Sequence, residues 1–135
     1  MGEKSLFQLS AERLTRSERV EFSQHITVTN NDFRFIIAEQ LCGVGIDPGP
    51  ILIEPEGKNT APAILAACLY SERTDPDEVF LVAPSDHLIP DKKRFHEALT
   101  LGLEEVNLGK IVTFGIKPKR PETGFGYLEL SQETN

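Results

Sequence analysis

The sequence predicts an α/β domain built on a mostly parallel sheet with helices on both faces. Short apolar runs, rich in β-branched residues, alternate along the chain with helical patterns of ten or more residues. Each apolar run stops at a polar turn, which is typical of a buried strand. Because helices of this length usually connect parallel strands, the alternation predicts strand–helix–strand units within one domain over residues 1–135.

The chain opens on a helix, since Ser5 and Gln8 have the spacing of a capping box and leucines follow at roughly helical intervals. Residues 25–29 are rich in β-branched side chains and predict the first strand. The polar residues 30–32 supply a cap for a second helix, whose apolar side chains lie on one face of residues 33–41.

A second strand is predicted at residues 51–53, followed by a helix over residues 61–73. Residues 63–69 of that helix are apolar on every side, so we expect protein to enclose it on more than one face. The next apolar run, residues 79–83, predicts a buried strand that ends abruptly at Pro84.

A fourth helix is predicted from Asp91 to Gly109, with apolar residues on one face. Two further strands are predicted at residues 110–116 and 125–130, around a loop marked by Gly and Pro at residues 121–127. Because the chain starts on a helix and stops directly after a strand, we expect an incomplete domain, the middle part of a larger one.

Composition and charge limit the kinds of molecule that this chain is expected to bind. The formal net charge is −7 and no stripe of Lys or Arg stands out, which argues against nucleic acid or an anionic membrane as the main partner. No apolar run approaches membrane length, and the N-terminus does not resemble a signal peptide. Cys42 and Cys68 lie in helical apolar patterns without the spacing of metal ligands, so we expect buried, reduced thiols and a cytoplasmic protein.

Asp86 is the first candidate for chemistry. It follows the predicted strand 79–83, and ligands of open α/β sheets bind outside the carboxyl ends of the strands. One carboxylate suits Mg²⁺, which is held by one or two carboxylates together with substrate phosphates and water. The alternative is that Asp86 only stabilises a turn by bonding its own backbone two residues on. For the adjacent His87, a hydrogen-bonded structural role is favoured over a ligand or base.

The segment from Glu54 to Ala63 predicts a second ligand contact. A turn that contains Gly and leads into a helix N-terminus offers free backbone N–H groups. Guanine presents two adjacent donors, N1–H and N2–H₂, and a carboxylate such as Glu54 matches both. The alternative is that Glu54 and Glu56 are solvated turn residues and that Asn59 is only a helix cap.

The loop Glu122–Tyr127 is the third candidate. Its glycines allow a ligand to approach the backbone, while Glu122 and Thr123 offer groups that bond sugar hydroxyls. A tight β-turn explains the same spacing. No GxxxxGK[ST], GxGxxG or GxSxG motif is present, which gives no support to P-loop hydrolysis, dinucleotide redox chemistry or serine hydrolysis.

In combination, three segments resemble the mannose-1-phosphate guanylyltransferase family: Glu54-Pro-Glu-Gly-Lys-Asn-Thr-Ala-Pro-Ala63, Val82-Ala-Pro-Ser-Asp-His87 and Thr113-Phe-Gly-Ile-Lys-Pro-Lys-Arg-Pro-Glu-Thr-Gly-Phe-Gly-Tyr127. The resemblance covers almost the whole chain with the motifs in the right order. It implies a Rossmann-like sugar nucleotidyltransferase that makes GDP-mannose and pyrophosphate from GTP and mannose 1-phosphate, for polysaccharide precursor synthesis, with Mg²⁺ as cofactor. It leaves a homo-oligomer open.

The resemblance also implies a role for each matching residue. Asp86 matches the metal-binding Asp and is the expected catalytic residue. The residues expected to bind the nucleotide are Glu54, Asn59, Thr60 and Ser85, and those expected to bind the sugar are Glu122, Thr123, Gly124 and Gly126.

Some positions depart from the family pattern. Lys58 stands where Arg is common, Ser85 where Ala is frequent and Phe125 where Tyr is usual. The family's GxGxR loop, which grips the triphosphate, and its later strands with a second metal-binding Asp have no counterpart in these residues. Since such a loop supplies donors for the developing charge, we expect the chain by itself to have little or no activity.

Two alternatives stay open. A signalling receiver domain phosphorylated at Asp86 has a similar length and a later strand ending at residues 117–118. That fold predicts an acidic pair after the first strand, where residues 30–32 offer one carboxylate, and it has no place for residues 122–130. The other alternative is a non-catalytic fragment that binds a nucleotide sugar.

Overall fold

A pair of short parallel strands forms the centre of the fold. In this computed structural model, strand β1 (Thr27–Asn30) pairs with strand β2 (Ile51–Glu54), and the register places Asn30 beside Glu54. The connection between them is a 3₁₀ turn at Asn31–Phe33 followed by helix α2 (Arg34–Cys42). The structure describes residues 4–15, 17, 20–118 and 120–129.

Three further helices surround this unit: α1 (Leu6–Arg13), α3 (Thr60–Ser71) and α4 (Lys92–Val106). The capping box predicted at the start of α1 is confirmed, because Ser5 accepts from the Gln8 N–H while the Gln8 side chain accepts from the Ser5 N–H. Gln8 Nε2 also donates to the Gln40 carbonyl at 3.0 Å, which ties α1 to α2. Of the residues 30–32 predicted to cap the second helix, Asn30 caps the 3₁₀ turn that leads into α2, whereas α2 itself has no side-chain cap at Phe33.

The buried side of α1 is more polar than its sequence indicates. Leu6, one of the leucines at helical spacing, is 46% exposed. The buried residues are Ser10, Ala11 and Arg13. Polar side chains can be buried only where they find hydrogen-bond partners, so this face of α1 must contact polar groups elsewhere in the chain.

The strands predicted after β2 do not form. Residues 79–83, 110–116 and 125–129 run without β-ladder pairing, and residue 130 lies outside the described residues. Ile111 and Ile116 are 96% and 84% exposed. A strand requires a neighbour that accepts and donates its backbone hydrogen bonds, and within the described residues β1 and β2 pair only with each other. Local composition predicts the extended run but cannot supply that partner.

Two burial predictions are also wrong. The apolar helix α3 is not enclosed, because Leu65, Leu69 and Tyr70 on its surface are 58%, 54% and 43% exposed. Cys42 is exposed and Cys68 is half-buried, although both are free thiols as predicted. An apolar pattern shows which faces avoid water but not which other segment covers them.

The hydrophobic core is small. Within the described residues it consists of Ala11, Val20, Leu41 and Leu99, with Leu41 the most buried. The accessible surface of 11202 Å² exceeds the roughly 7,000 Å² expected of a compact protein of this mass. The parallel sheet with its helices nevertheless confirms the α/β class and corresponds to a partial Rossmann-like domain. Among the described helices, none combines the length and the apolar character needed to cross a bilayer.

Candidate functional site

Glu54 lies at the carboxyl edge of the parallel pair, where ligands of α/β sheets bind. Its neighbour Asn30 uses its side chain to accept from the N–H groups of Asp32 and Phe33, at 3.0 and 3.3 Å. Within the described part of the chain, the half-buried Glu54 carboxylate has no hydrogen bond or ion pair. It therefore remains available to an external donor.

Asn59 has an unusual backbone conformation immediately before α3. Its φ of 66° and ψ of −165° fall in a region that is essentially restricted to Gly and costs about 1–3 kcal/mol. Its side chain makes no capping hydrogen bond, so the interpretation of Asn59 as a side-chain cap is not supported. The exposed Thr60 begins α3, and the first-turn N–H groups face outward without a side-chain acceptor.

Asp86 lies in an exposed turn with Ser85. The structure does not show the self-bonded turn that was the alternative for this residue. Asp47 and Asp75 do form such turns, accepting from Gly49 N at 3.0 Å and Asp77 N at 3.1 Å. The Asp86 carboxylate, in contrast, has no partner among the residues that the structure describes.

Two side chains of α1 bond the backbone before and after Asp86. Ser10 Oγ donates to the Pro84 carbonyl at 3.2 Å, and Arg13 Nη1 donates to the His87 carbonyl at 3.2 Å. Burial lowers the pKa of the Arg13 guanidinium, which still stays charged because that pKa begins far above neutral. Local sequence patterns give no signal for these two residues, since they lie 74 positions from the loop. The His87 ring, expected to be hydrogen-bonded, is exposed and has no such bond in the described region.

The loop Glu122–Tyr127 forms a compact local structure. The Tyr127 hydroxyl accepts from Glu122 N at 2.7 Å and donates to the Glu122 carbonyl at 3.0 Å. Phe125 N donates to that same carbonyl at 3.4 Å and closes a turn around Thr123 and Gly124, both exposed. The β-turn that was the alternative for this loop is therefore formed. Gly126 has open space where a Cβ would lie.

The three predicted ligand segments remain separate. Within the described residues, no hydrogen bond or ion pair joins Glu54–Thr60, Pro84–His87 and Glu122–Tyr127 to one another. The described part of the chain also contains no group of three or more His, Cys, Asp or Glu side chains able to hold a metal ion. At the Pro84–His87 turn the structure offers a hard cation one carboxylate, that of Asp86, which suits Mg²⁺ when water and phosphates complete the shell.

The chain was compared with known proteins. The Nucleotidyl transferase family profile matches residues 1–135. Xanthan biosynthesis protein XanB of Xanthomonas campestris pv. campestris is 45% identical over 134 residues, which are 99% of this chain and 28% of the relative. Alginate biosynthesis protein AlgA of Pseudomonas putida is 40% identical over 132 residues, 98% of this chain and 27% of the relative.

A third relative carries an enzymatic name. Mannose-1-phosphate guanylyltransferase of Escherichia coli is 38% identical over 128 residues, which are 95% of this chain and 26% of that protein. The chain thus spans just over a quarter of the length of the curated relatives it matches. No solved structure gives a significant match. The match over the full sequence shows that this chain belongs to the nucleotidyl transferase family.

Proposed function

We propose that this chain supplies base, metal and sugar contacts of a mannose-1-phosphate guanylyltransferase, which forms GDP-mannose and pyrophosphate from GTP and mannose 1-phosphate. Support comes from the relatives named above, one of which carries this activity in its name. The family match favours this proposal over a receiver domain phosphorylated at Asp86.

One observation carries the proposal. Asp86, Glu54 and Asn59 have no intramolecular side-chain partner in the described part of the chain. Glu54 ends β2, Asn59 precedes α3, and Asp86 lies in the turn after residues 79–83. Asp and Asn side chains in comparable turns and helix starts bond the backbone; examples are Asn30, Asp47, Asp75 and Asp91. Because Asp86 and Asn59 are exposed and Glu54 is half-buried, all three side chains are accessible, and a ligand need not break an internal bond to reach them.

The proposed roles follow from the chemistry of each group. The Glu54 carboxylate accepts N1–H and N2–H₂ of guanine, while Asn59, Thr60 and Ser85 contact the nucleotide. Asp86 holds Mg²⁺, which when bound neutralises charge on the substrate phosphates. Glu122 and Thr123 bond sugar hydroxyls, and Gly124 and Gly126 let the sugar approach the backbone.

The reaction proposed for this family is a direct displacement. A phosphate oxygen of mannose 1-phosphate bonds to the α-phosphorus of GTP, the bond from that phosphorus to the bridging oxygen breaks, and pyrophosphate leaves with the electron pair. Catalysis of this kind consists mainly of orientation and charge neutralisation. Glu54, Asp86 and Glu122 would then orient base, phosphates and sugar without forming a covalent bond to substrate.

The proposal can be tested by ligand binding to the ¹⁵N-labelled chain. GDP-mannose with Mg²⁺ should shift amide signals of residues 54–60 and 122–126. ADP-mannose differs in the base and measures base selectivity, while GDP-glucose differs in the sugar and measures sugar selectivity. Glu54→Gln should reduce the preference for GDP-mannose over ADP-mannose by roughly tenfold, since bonds to a charged acceptor are worth about 1.5–3 kcal/mol.

Glu56→Gln is the matched control, because Glu56 is exposed and pairs with Lys58 at 2.7 Å. It should leave the preference between the two nucleotides unchanged. Equal binding of GDP-mannose and ADP-mannose by the unmodified chain, or shifts confined to other residues, would contradict the proposed function.

A further inference from the structure

Ser10 and Arg13 of α1 are among the most buried polar side chains of the described structure. Their exposed fractions are 3% and 2%. Removing a guanidinium from water is costly unless its N–H groups are bonded, so a buried Arg indicates a specific set of acceptors. Arg13 Nε is buried without a partner among the described residues, while Nη1 and Nη2 are both hydrogen-bonded.

These bonds converge on one loop. Arg13 Nη2 donates to Ser10 Oγ at 2.8 Å, and Ser10 Oγ donates onward to the Pro84 carbonyl at 3.2 Å. Arg13 Nη1 reaches the His87 carbonyl at 3.2 Å. The two carbonyls lie on either side of Ser85 and Asp86. The backbone of the turn is thus attached at both ends, while the Asp86 carboxylate stays free.

Helix α4 fixes Arg13 in turn. The Arg13 guanidinium carbon lies 5.3 Å from the centre of the Phe95 ring, within the range of a cation–π contact. His96 Nε2 donates to the Arg13 carbonyl at 2.9 Å. Arg13 therefore joins two helices to the loop, and its orientation does not depend on the loop alone.

We propose that Ser10 and Arg13 are positioning residues that preorganise the Pro84–His87 turn so that Asp86 binds a divalent cation. This inference rests on the proposed metal role of Asp86. An apolar side chain would fill the same space but would leave the two carbonyls unattached. A turn that is already ordered loses less conformational entropy when its carboxylate binds a cation, so the bonds from α1 raise affinity without touching the ion.

The test uses Mn²⁺ as a paramagnetic probe on the ¹⁵N-labelled 135-residue chain. Broadening of the amide signals of residues 85–88 during a Mn²⁺ titration reports affinity at the turn, and ¹⁵N relaxation of the same amides reports its order. Ser10→Ala and Arg13→Lys should each weaken Mn²⁺ binding at the turn several-fold and increase the backbone motion there, because each removes a bond to a loop carbonyl.

Ser5→Ala is the matched control. It removes the N-terminal cap of the same helix, and so destabilises α1, but Ser5 has no bond to the loop. After correction for the folded fraction, it should leave the Mn²⁺ affinity and the ¹⁵N relaxation of residues 85–88 unchanged. An equal loss of affinity in Ser5→Ala and Ser10→Ala would reduce Ser10 to a general stabilising role and overturn the inference.

The remaining outcomes separate the two proposals. If the unmodified chain shows no Mn²⁺ broadening at residues 85–88, the metal role of Asp86 is wrong and the inference falls with it. If the unmodified chain binds Mn²⁺ there and Ser10→Ala and Arg13→Lys bind equally well, the metal site stands and the positioning role is wrong. If Arg13→Lys does not fold, Ser10→Ala decides the question.

Discussion

The loops Pro84–His87 and Glu122–Tyr127 are both predicted to contact substrate, but they are held by different kinds of contact. The first is attached to buried side chains of α1, 74 positions away in the sequence. The second is closed by bonds within five residues, chiefly those of the Tyr127 hydroxyl. A long-range attachment orders a loop relative to the rest of the fold, whereas local bonds only shape the loop itself.

This difference has a consequence for binding. A preorganised group binds with a smaller entropic loss than one that must be ordered by its ligand. If Asp86 binds a metal ion as proposed, its turn is already ordered by α1, whereas the Glu122–Tyr127 loop would be free to adjust to a sugar. Variants at Asp86 and Tyr127 test the two loops directly, while variants at Asn59 and Glu78 test how the segments on either side of α3 are held.

Asp86→Asn should lower the apparent Mn²⁺ affinity at residues 85–88 by roughly tenfold or more, because it removes the charge that attracts the cation. The measurement is the amide broadening titration described above. Asp77→Asn is the control, since Asp77 is also an exposed turn carboxylate but its turn has no attachment to Ser10 or Arg13. An equal loss in both variants would show that Mn²⁺ responds only to net charge.

Asn59→Gly should raise the free energy of unfolding by about 1 kcal/mol, because relief of the Gly-type conformation exceeds the entropy that Gly adds to the unfolded chain. The same variant should bind GDP-mannose more weakly, since the amide is lost. Urea unfolding and ligand titration measure the two effects. Asn107→Gly is the control. Because Asn107 has an ordinary φ of −63°, this substitution should not raise the free energy of unfolding. If Asn59→Gly lowers the free energy of unfolding, the claim that the Asn59 backbone is strained is wrong.

Tyr127→Phe should increase hydrogen exchange at the Glu122 amide by roughly threefold to tenfold, the effect of losing a bond worth about 1 kcal/mol. Exchange at residues 85–87 should not change, because no described contact connects the two loops. Amide exchange followed by NMR measures both. Tyr70→Phe on α3, whose hydroxyl has no hydrogen bond in the described structure, is the control. Faster exchange in both loops would show that they are coupled.

Glu78→Gln should produce the smallest effect, a change in how stability depends on pH. The Ser71 and Ser23 hydroxyls donate to the Glu78 carboxylate and lower its pKa below the ordinary value of 4.5. These bonds attach the start of residues 79–83, the run that leads to Asp86. Their contribution is present above the ordinary pKa and is lost as the pH falls through the lowered one.

The stability difference between the unmodified chain and Glu78→Gln should therefore shrink as the pH drops below about 4.5. Urea unfolding at a series of pH values measures it. Glu104→Gln serves as the control, since Glu104 is an exposed residue of α4 without a hydrogen bond to its carboxylate in the described structure. A difference that stays constant with pH would show that the Ser71 and Ser23 bonds do not favour the charged form.

The sequence by itself determined the features that depend on neighbours in the chain. The Ser5–Gln8 capping box, the Asn30 cap and the turn at Glu122 all follow from groups that bond within a few residues. The positions of β1 and β2 also follow from local composition, although their pairing joins distant segments. The candidate ligand residues were named through the three segments that resemble the guanylyltransferase family, and these assignments stay predictions.

Only the tertiary structure decided which side chains and segments are bonded to the rest of the fold and which have no partner. It buried Ser10 and Arg13 against the Asp86 turn, placed Asn59 in a Gly-type conformation and left residues 79–83 without a partner strand. The burial of Ser10 and Arg13 and the unpaired state of residues 79–83 depend on contacts between distant segments, whose formation balances hydrogen bonding and burial against the entropy of closing long loops. A local sequence pattern does not predict the outcome of that balance.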